Sequence, residues 1–266
     1  MKCISRLDKY AAIFRLTVAN RFAYSTEVFF QALHIGLVLF VIALMWKLLF
    51  AGKTTISGFT LAQMIWYILF GELIVTSQQG VVEEVVDDIR SGNIANYLNK
   101  PYSYTLYKYV STMGSGIFNG AFTLIVGGIV VSLTVGSLHP SLVQVAAIPL
   151  LVILAMTISF LLLFSIGLLS FWMEDSKGIE FVYTKTVFIL GGMLLPLSLL
   201  PSWLQTIATK LPTAAIAYFP ARTSVLFSAT SLVHTLLLQF FWIIVCTLLC
   251  MTLFKLGKQK VEVNGG

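Results

Sequence analysis

The sequence contains few charged residues. Only 11% of its 266 residues are Asp, Glu, Lys or Arg, whereas 58% are apolar. A soluble globular domain carries about 25% charged residues, and the stretch from Tyr109 to Met173 has no Asp, Glu, Lys or Arg. This scarcity excludes an ordinary soluble enzyme and predicts an all-α integral membrane protein. The net charge of +6 is therefore interpreted by its position along the chain, and no nucleic-acid partner is expected.

Cysteines and catalytic motifs are also scarce. The three cysteines do not form a disulfide framework, because Cys3 is near the start while Cys246 and Cys250 lie one turn apart in an apolar run. No cleavable signal sequence, metal-ligand cluster or nucleophile elbow is evident. The tripeptide that starts at Gly52 lacks the first glycine of a phosphate-binding loop, where Lys47 stands instead. We therefore expect no catalytic residue, metal or cofactor in this chain, and a membrane enzyme is the least favoured alternative.

The sequence does contain a series of long apolar runs. A membrane helix needs about 20 predominantly apolar residues, and a polar turn before Pro140 separates two spans within the uncharged stretch. Six spans are predicted, at about residues 28–50, 58–80, 109–135, 143–172, 181–200 and 229–254.

The first 26 residues are basic, with Tyr10, Phe14 and Val18 among apolar side chains at steps of three and four. This spacing predicts an interfacial helix on the inner leaflet, whose basic residues contact anionic lipid head groups. A plain basic tail is the alternative. The predicted domains are an N-terminal interfacial helix over 1–26, a six-helix transmembrane domain over 27–260 and a C-terminal tail over 261–266.

The basic residues set the predicted orientation. Six spans place both termini on the same face of the membrane, and 13 of the 17 Lys and Arg residues fall in segments on that face. Cytoplasmic segments carry the excess of Lys and Arg. Both termini and the charged loop at 83–101 are therefore predicted to be cytoplasmic.

The segment between spans five and six is apolar but broken by Pro196, Pro201, Pro212 and Pro220. It is too interrupted for one spanning helix and too apolar for a solvated loop. Short re-entrant helices between spans five and six satisfy both features, with Trp203 and Tyr218 at the outer interface. An outer loop lying flat on the membrane is the alternative.

The densest run of charge lies at 83–101, and lipid cannot accommodate it. Valines before and within this run recur on one helical face, which predicts that span two continues into water as a helix. Gly92 is placed to end that helix, Asn93 to cap a second short one, and Pro101 to stop it. The result is an elbow with an apolar face and a charged rim, suited to insertion into the groove of a soluble partner. A solvated connector is the alternative.

The loop VVDDIRSGNIANYLNKPYS resembles the first cytoplasmic loop of ABC-2-type permeases, the membrane subunits of ATP-binding-cassette exporters. Asp88 to Gly92 and Leu98 to Pro101 match the family pattern, which in one bacterial branch is an acidic residue followed by I-R-S-G and later L-x-[KR]-P. The segment from Tyr218 to Arg222 resembles the end of the broken segment before span six. Ser25 departs from the pattern, because a basic residue is expected after Tyr24.

This resemblance implies a set of partners. Two permease subunits, identical or paralogous, pair in the bacterial cytoplasmic membrane, and each docks a nucleotide-binding subunit that binds ATP and Mg. Membrane spans two and five line the export pathway at the subunit interface. The segment at 174–180 is implied as a secondary coupling element. The main coupling residues implied for this chain are Glu83, Glu84, Asp87, Asp88, Arg90, Gly92, Tyr97, Lys100 and Pro101.

Two polar residues interrupt the predicted spans. His34 and Glu72 each lie roughly 10–17 Å inside the membrane boundary, at ~1.5 Å per residue, so they can form a pair or line the pathway. A packing contact is the alternative for both. They also support a rival function, an ion- or proton-coupled secondary transporter that uses Glu72 and His34, although no internal inverted repeat is evident.

Overall fold

The computed structural model describes residues 6–23, 25–78 and 80–264. Every regular element in this part of the chain is a helix, apart from one isolated bridge between Ile56 and Phe59, which confirms the all-α class. Two 3₁₀ helices cover Leu169–Phe171 and Leu197–Leu199. The α-helices are α1 (Arg6–Ala23), α2 (Ser25–Leu49), α3 (Leu61–Thr76), α4 (Val81–Arg90), α5 (Asn93–Leu98), α6 (Tyr104–Val135), α7 (Leu142–Leu168), α8 (Lys177–Ile189), α9 (Ser202–Ala208), α10 (Pro212–Ile216), α11 (Tyr218–Val225) and α12 (Ala229–Asn264).

Four helices in the described residues are long and apolar enough to cross a membrane. They cover Phe29–Leu49, Tyr104–Val135, Leu142–Phe171 and Ala229–Lys260, and they overlap predicted spans one, three, four and six. The predicted tail at 261–266 begins inside α12, which continues to Asn264; residues 265–266 and Cys3 lie outside the described part.

The helices at predicted spans two and five are shorter than expected. Helix α3 has 16 residues and α8 has 13, so at 1.5 Å per residue they are roughly 24 Å and 20 Å long, against about 30 Å of hydrocarbon. The predicted continuation of span two into the charged loop is wrong. Gly80 adopts a left-handed conformation with φ of 83° and separates α3 from α4.

Helix α3 lies at the centre of the molecule, in contact with α2, α6, α7 and α11. Its start is fixed by a capping box, in which Thr60 and Gln63 exchange side-chain and backbone hydrogen bonds. Met64, Ile65 and Tyr67 are completely buried. Burial on most sides accounts for the mostly apolar sequence of this helix, in which Glu72 is the single charged residue.

The broken segment at 196–225 forms the short helices α9, α10 and α11. Helices α10 and α11 pack against α7, and α11 also contacts α3. Tyr218 is only 6% exposed, and its ring lies against those of Tyr67 and Phe219. The expectation that Tyr218 lies at the outer interface is therefore wrong, because α11 turns this side chain towards the protein. Trp203 on α9 is 66% exposed.

The outer faces of the long helices remain strongly apolar. Large side chains such as Leu48 on α2, Leu133 on α6 and Leu237 on α12 are more than half exposed in the isolated chain. Exposed apolar stripes of this extent indicate contact with lipid or with another subunit. A dense group of charged residues, in contrast, lies on α4, which contacts both α5 and α8.

Candidate coupling surface and adjoining cavity

The apolar face of α4 is turned into the protein. Val81, Val82, Val85 and Val86 are each at most 5% exposed, and α4 packs against α7. The valine face cannot take part in the predicted insertion of the elbow into a partner, because the protein itself already covers the valines. Docking of the elbow as a whole stays a prediction. The surface that remains available is the charged rim.

Gly167 of α7 allows this close packing. A Cβ atom built at Gly167 would lie 2.8 Å from Cβ of Val85 and 3.4 Å from the carbonyl oxygen of Val82. The absence of a side chain at Gly167 thus lets the backbone of α4 approach α7. The position of the charged rim relative to the bundle depends on this contact.

Substitution of Gly167 by alanine is expected to push α4 away from α7 and to lower the free energy of unfolding by about 1–3 kcal/mol, because an overpacked interface must shift. The measurement is thermal unfolding in detergent together with amide hydrogen exchange of residues 81–90. Gly36→Ala is the matched control, since a Cβ there meets Val130 at an ordinary 3.7 Å. Equal exchange of residues 81–90 in both variants would contradict the packing role.

Helices α4 and α5 are joined by a tight turn, and residues 83–101 of this region form the elbow. Gly92 has a φ of 73° at this turn, as predicted for the residue that ends the first helix. The predicted cap is wrong: Gly92 is the N-cap of α5 and Asn93 is already its first helical residue. Oγ of Ser91 accepts a hydrogen bond from the backbone N–H of Asn93 at 3.4 Å. Ile94 is buried, while Tyr97 and Leu98 pack partly buried against the same core.

A buried lysine ties the elbow to α6. Nζ of Lys108 lies 2.8 Å from Oδ2 of Asp88 and 3.0 Å from Oε2 of Glu84, and the hydroxyl of Tyr104 donates to Asp88 at 2.8 Å. Lys108 is only 6% exposed. Asp88 therefore binds to Lys108 and Tyr104 of the same chain, and its predicted role in coupling to the ATPase stays a prediction. Lys108 was missed as a functional residue, although it is the last charged residue before the long uncharged stretch.

The two predicted coupling segments adjoin each other. Nζ of Lys177, at the start of α8, is 3.6 Å from Oε1 of Glu83 on α4. Both side chains are well exposed, so this ion pair contributes little to stability. Partial burial raises the pKa of the Glu180 carboxyl, the carboxylate of Glu83 raises it further, and Lys177 opposes both effects. The segment at 174–180 thus shares its electrostatic environment with α4.

The remaining predicted residues form the exposed rim. Glu83, Glu84, Asp87 and Arg90 are exposed on α4. On the far side of the turn, Nζ of Lys100 lies 4.5 Å above the ring centroid of Tyr97, and Pro101 is exposed. The exposed charges of α4 that do not contact Lys108 are the carboxylates of Glu83 and Asp87 and the guanidinium of Arg90. Such a face fits a partner surface of complementary charge.

A comparison with protein families identifies the family of the chain. The family model described as ABC-2 family transporter protein matches residues 37–265. The chain belongs to the ABC-2 transporter family. It is a permease subunit of an ABC transporter and a multi-pass membrane protein. The match includes the whole elbow and confirms the family that the sequence analysis identified, while a comparison with curated proteins found no match.

The permease also contains a cavity beside the elbow, with a volume of about 280 Å³. His34 of α2 and Glu72 of α3 both line it, together with Glu180 and Tyr183 of α8. The structure therefore brings the two predicted intramembrane polar residues to one space. Direct pairing of His34 with Glu72 stays a prediction. Glu180 and Tyr183 were not predicted to join them, because their proximity depends on how α8 packs on α7 and α4.

Proposed function

We propose that this permease is the membrane subunit of a bacterial ABC exporter, located in the cytoplasmic membrane, and that its elbow docks a separate ATPase subunit. That subunit would bind the ATP and Mg, so the permease carries no cofactor. The observation that carries the proposal is the attachment of the elbow: its exposed rim is charged, while its buried side is fixed to α6 through Lys108. The family membership supports an ATP-binding partner.

The contacts of the elbow provide a route for motion. Helix α4 packs on α7 through its valines, binds α6 through Lys108, and faces α8 through the pair of Glu83 with Lys177. Tightly packed elements move together because protein interiors resist deformation. Closure of the ATPase pair would displace the rim and, with it, the cytoplasmic ends of α6, α7 and α8.

We further propose six passes through the membrane, with both termini cytoplasmic and re-entrant helices at α9–α11. The four long helices account for four passes. The shorter α3 is shielded by the surrounding helices, whereas α8 leaves Phe181 and Val182 exposed towards lipid or a second subunit. Gly80 and Gly192 provide turns with positive φ after the two helices end. Burial of α10 and α11 supports re-entry, because broken helices at membrane depth are tolerated only inside protein.

The permease is proposed to act as a dimer with a second permease subunit, identical or paralogous. Each subunit would form half of the translocation pathway. The exposed apolar faces of α2 and α12 provide surface for that contact and for lipid. Helix α1, which packs along α6, would remain at the inner interface as the predicted lipid-binding helix.

A crosslinking experiment tests the docking of the ATPase. Asn96 is exposed on α5, so Asn96→Cys in a Cys3→Ser background is expected to crosslink, in native membranes, to a protein that azido-ATP labels. Lys53→Cys, in the exposed turn after α2 on the predicted outer side, is the matched control and should give no labelled adduct. An adduct at Lys53→Cys alone would reverse the orientation and refute the proposal.

The ion- or proton-coupled secondary transporter remains the second candidate function, because His34 and Glu72 line one cavity. The two functions differ in their energy source. Substrate movement in inside-out vesicles that requires ATP and persists with a protonophore supports the exporter. Movement that follows an imposed proton gradient without ATP supports the carrier.

A further inference from the structure

The cavity beside the elbow is rich in hydrogen-bond acceptors and negative charge. Two carboxylates line it, Glu72 from α3 and Glu180 from α8, and no Lys or Arg is among its described lining residues. His34 is the other ionisable group of the lining besides the weakly acidic Tyr183. The lining therefore carries a surplus of negative charge.

The neighbouring cations are directed elsewhere. Nζ of Lys177 lies beside Glu83 at 3.6 Å, and Nζ of Lys185 lies over the rings of Phe181 and Phe188, at 5.1 Å and 5.7 Å from their centroids. Neither ammonium group lines the cavity. The lining thus holds the two carboxylates without an ammonium or guanidinium group of the described residues, although Lys177 acts on Glu180 from outside the cavity.

A buried acceptor gives an independent indication of a ligand. Gln78 lines the same cavity and is 4% exposed, and its amide nitrogen donates to the carbonyl oxygen of Met156 at 2.6 Å. Its amide oxygen is buried without a hydrogen-bond partner in the described residues. A buried acceptor without a donor is destabilising, so a shift of the amide that exposes this oxygen to the cavity would let an N–H group of a ligand relieve the cost.

We propose that this cavity binds the protonated amine of an amphiphilic substrate. Glu72 and Glu180 neutralise the ammonium charge, and the amide oxygen of Gln78 accepts one of its N–H groups. Apolar lining side chains such as Phe188 and Met193 contact the first carbons of the attached chain. The volume of about 280 Å³ admits the head group and leaves the apolar body outside the cavity.

This inference rests on the proposed function and names its substrate class. Glu180 faces both the cavity and Glu83 of the elbow, so the bound ammonium would lie where α8 meets α4. The same chemistry is available from a free amphiphilic amine and from the head group of phosphatidylethanolamine. A protonated His34 would compete for the carboxylates.

Three fluorescent probes with one body and different heads test the proposal. Dansylcadaverine carries a primary ammonium, its N-acetyl derivative is neutral, and dansyl-aminohexanoate ends in a carboxylate. Full-length permease in phosphatidylglycerol nanodiscs is titrated with each probe, and the signal of empty nanodiscs is subtracted. We expect the ammonium probe to bind about tenfold more tightly than either analogue, which corresponds to about 1.4 kcal/mol.

Variants then locate the binding. Glu72→Gln and Glu180→Gln should each weaken the ammonium probe about tenfold and leave the neutral probe unchanged, whereas Glu72→Asp and Glu180→Asp should keep the preference for the ammonium. Glu27→Gln is the matched control, because it removes one negative charge from an exposed site outside the cavity. Size-exclusion chromatography and circular dichroism verify that each variant is folded.

The outcomes separate the sources of the amine. Added phosphatidylethanolamine that competes with the ammonium probe supports a lipid head group as ligand, and an absence of competition supports a free amine. Equal affinity for the three probes, or wild-type binding in both Gln variants, overturns the proposal. The ATPase does not take part in these titrations, so a failure here leaves the docking proposal intact, and a failed crosslink leaves amine binding intact.

Discussion

Replacement of Lys108 by methionine is expected to free α4 from α6 and to abolish transport coupled to ATP hydrolysis while ATPase docking persists. The lysine is 6% exposed and sits between two carboxylates. Loss of one partner from a fully buried ion pair costs about 3–5 kcal/mol. Because the Glu84 side chain is 63% exposed and water reaches Asp88, we expect a smaller local destabilisation of about 2–3 kcal/mol.

Amide hydrogen exchange of residues 81–98 measures this release, and ATP-dependent transport in vesicles measures the functional loss. Asp88→Asn added to Lys108→Met removes the carboxylate that has lost its lysine partner. The double variant should recover part of the protection of residues 81–98 from amide exchange, since the Tyr104 hydroxyl can still donate to the amide oxygen of Asn. Lys53→Met, which removes one charge from an exposed turn, should behave as wild type. Full coupling in Lys108→Met would show that motion does not pass through this contact.

Reversal of the exposed charges of the elbow is expected to weaken ATPase docking and to leave the attachment of α4 to α6 intact. Asp87→Lys with Arg90→Glu alters the rim without touching the buried valines or Lys108. We expect the affinity of the permease for its ATPase to fall at least about tenfold, or about 1.4 kcal/mol, because complementary charges would become repulsive. The exchange of residues 81–98 should stay at the wild-type level, which distinguishes lost docking from lost anchoring.

Affinity is measured by co-purification at several salt concentrations, since contacts between exposed charges weaken as salt screens them. Glu27→Lys is the matched control: it reverses one exposed charge at the start of α2, outside the elbow. Unchanged affinity in the rim variant at low salt would refute the role of this surface in docking.

The local features of the elbow were largely predictable because they depend on neighbours in sequence. The turn at Gly92 follows from the conformational freedom of glycine, and its φ of 73° confirms it. The assignment of Asn93 as a cap failed although asparagine is a common N-cap. Gly92 took that position because the turn needs only two residues between α4 and α5.

The partners of the charged side chains were not predictable from local sequence. Asp88 and Lys108 lie twenty residues apart along the chain, and only the packing of α4 beside α6 brings Nζ and Oδ2 to 2.8 Å. The same holds for Glu72 and Glu180, which share a cavity because α8 packs on α7 and α4. Residue type indicated that these groups need partners, but residue type did not specify which partners.

The sequence by itself determined the class of this protein, because the scarcity of charge and the long apolar runs leave only a helical membrane protein, and the loop around Asp88 indicated the family. Only the tertiary structure decided which face of α4 is free. A helix with an apolar and a charged face can present either one to a partner. The valines are buried because α7 offers Gly167 as a place for close approach, so the charged rim is the surface left for docking.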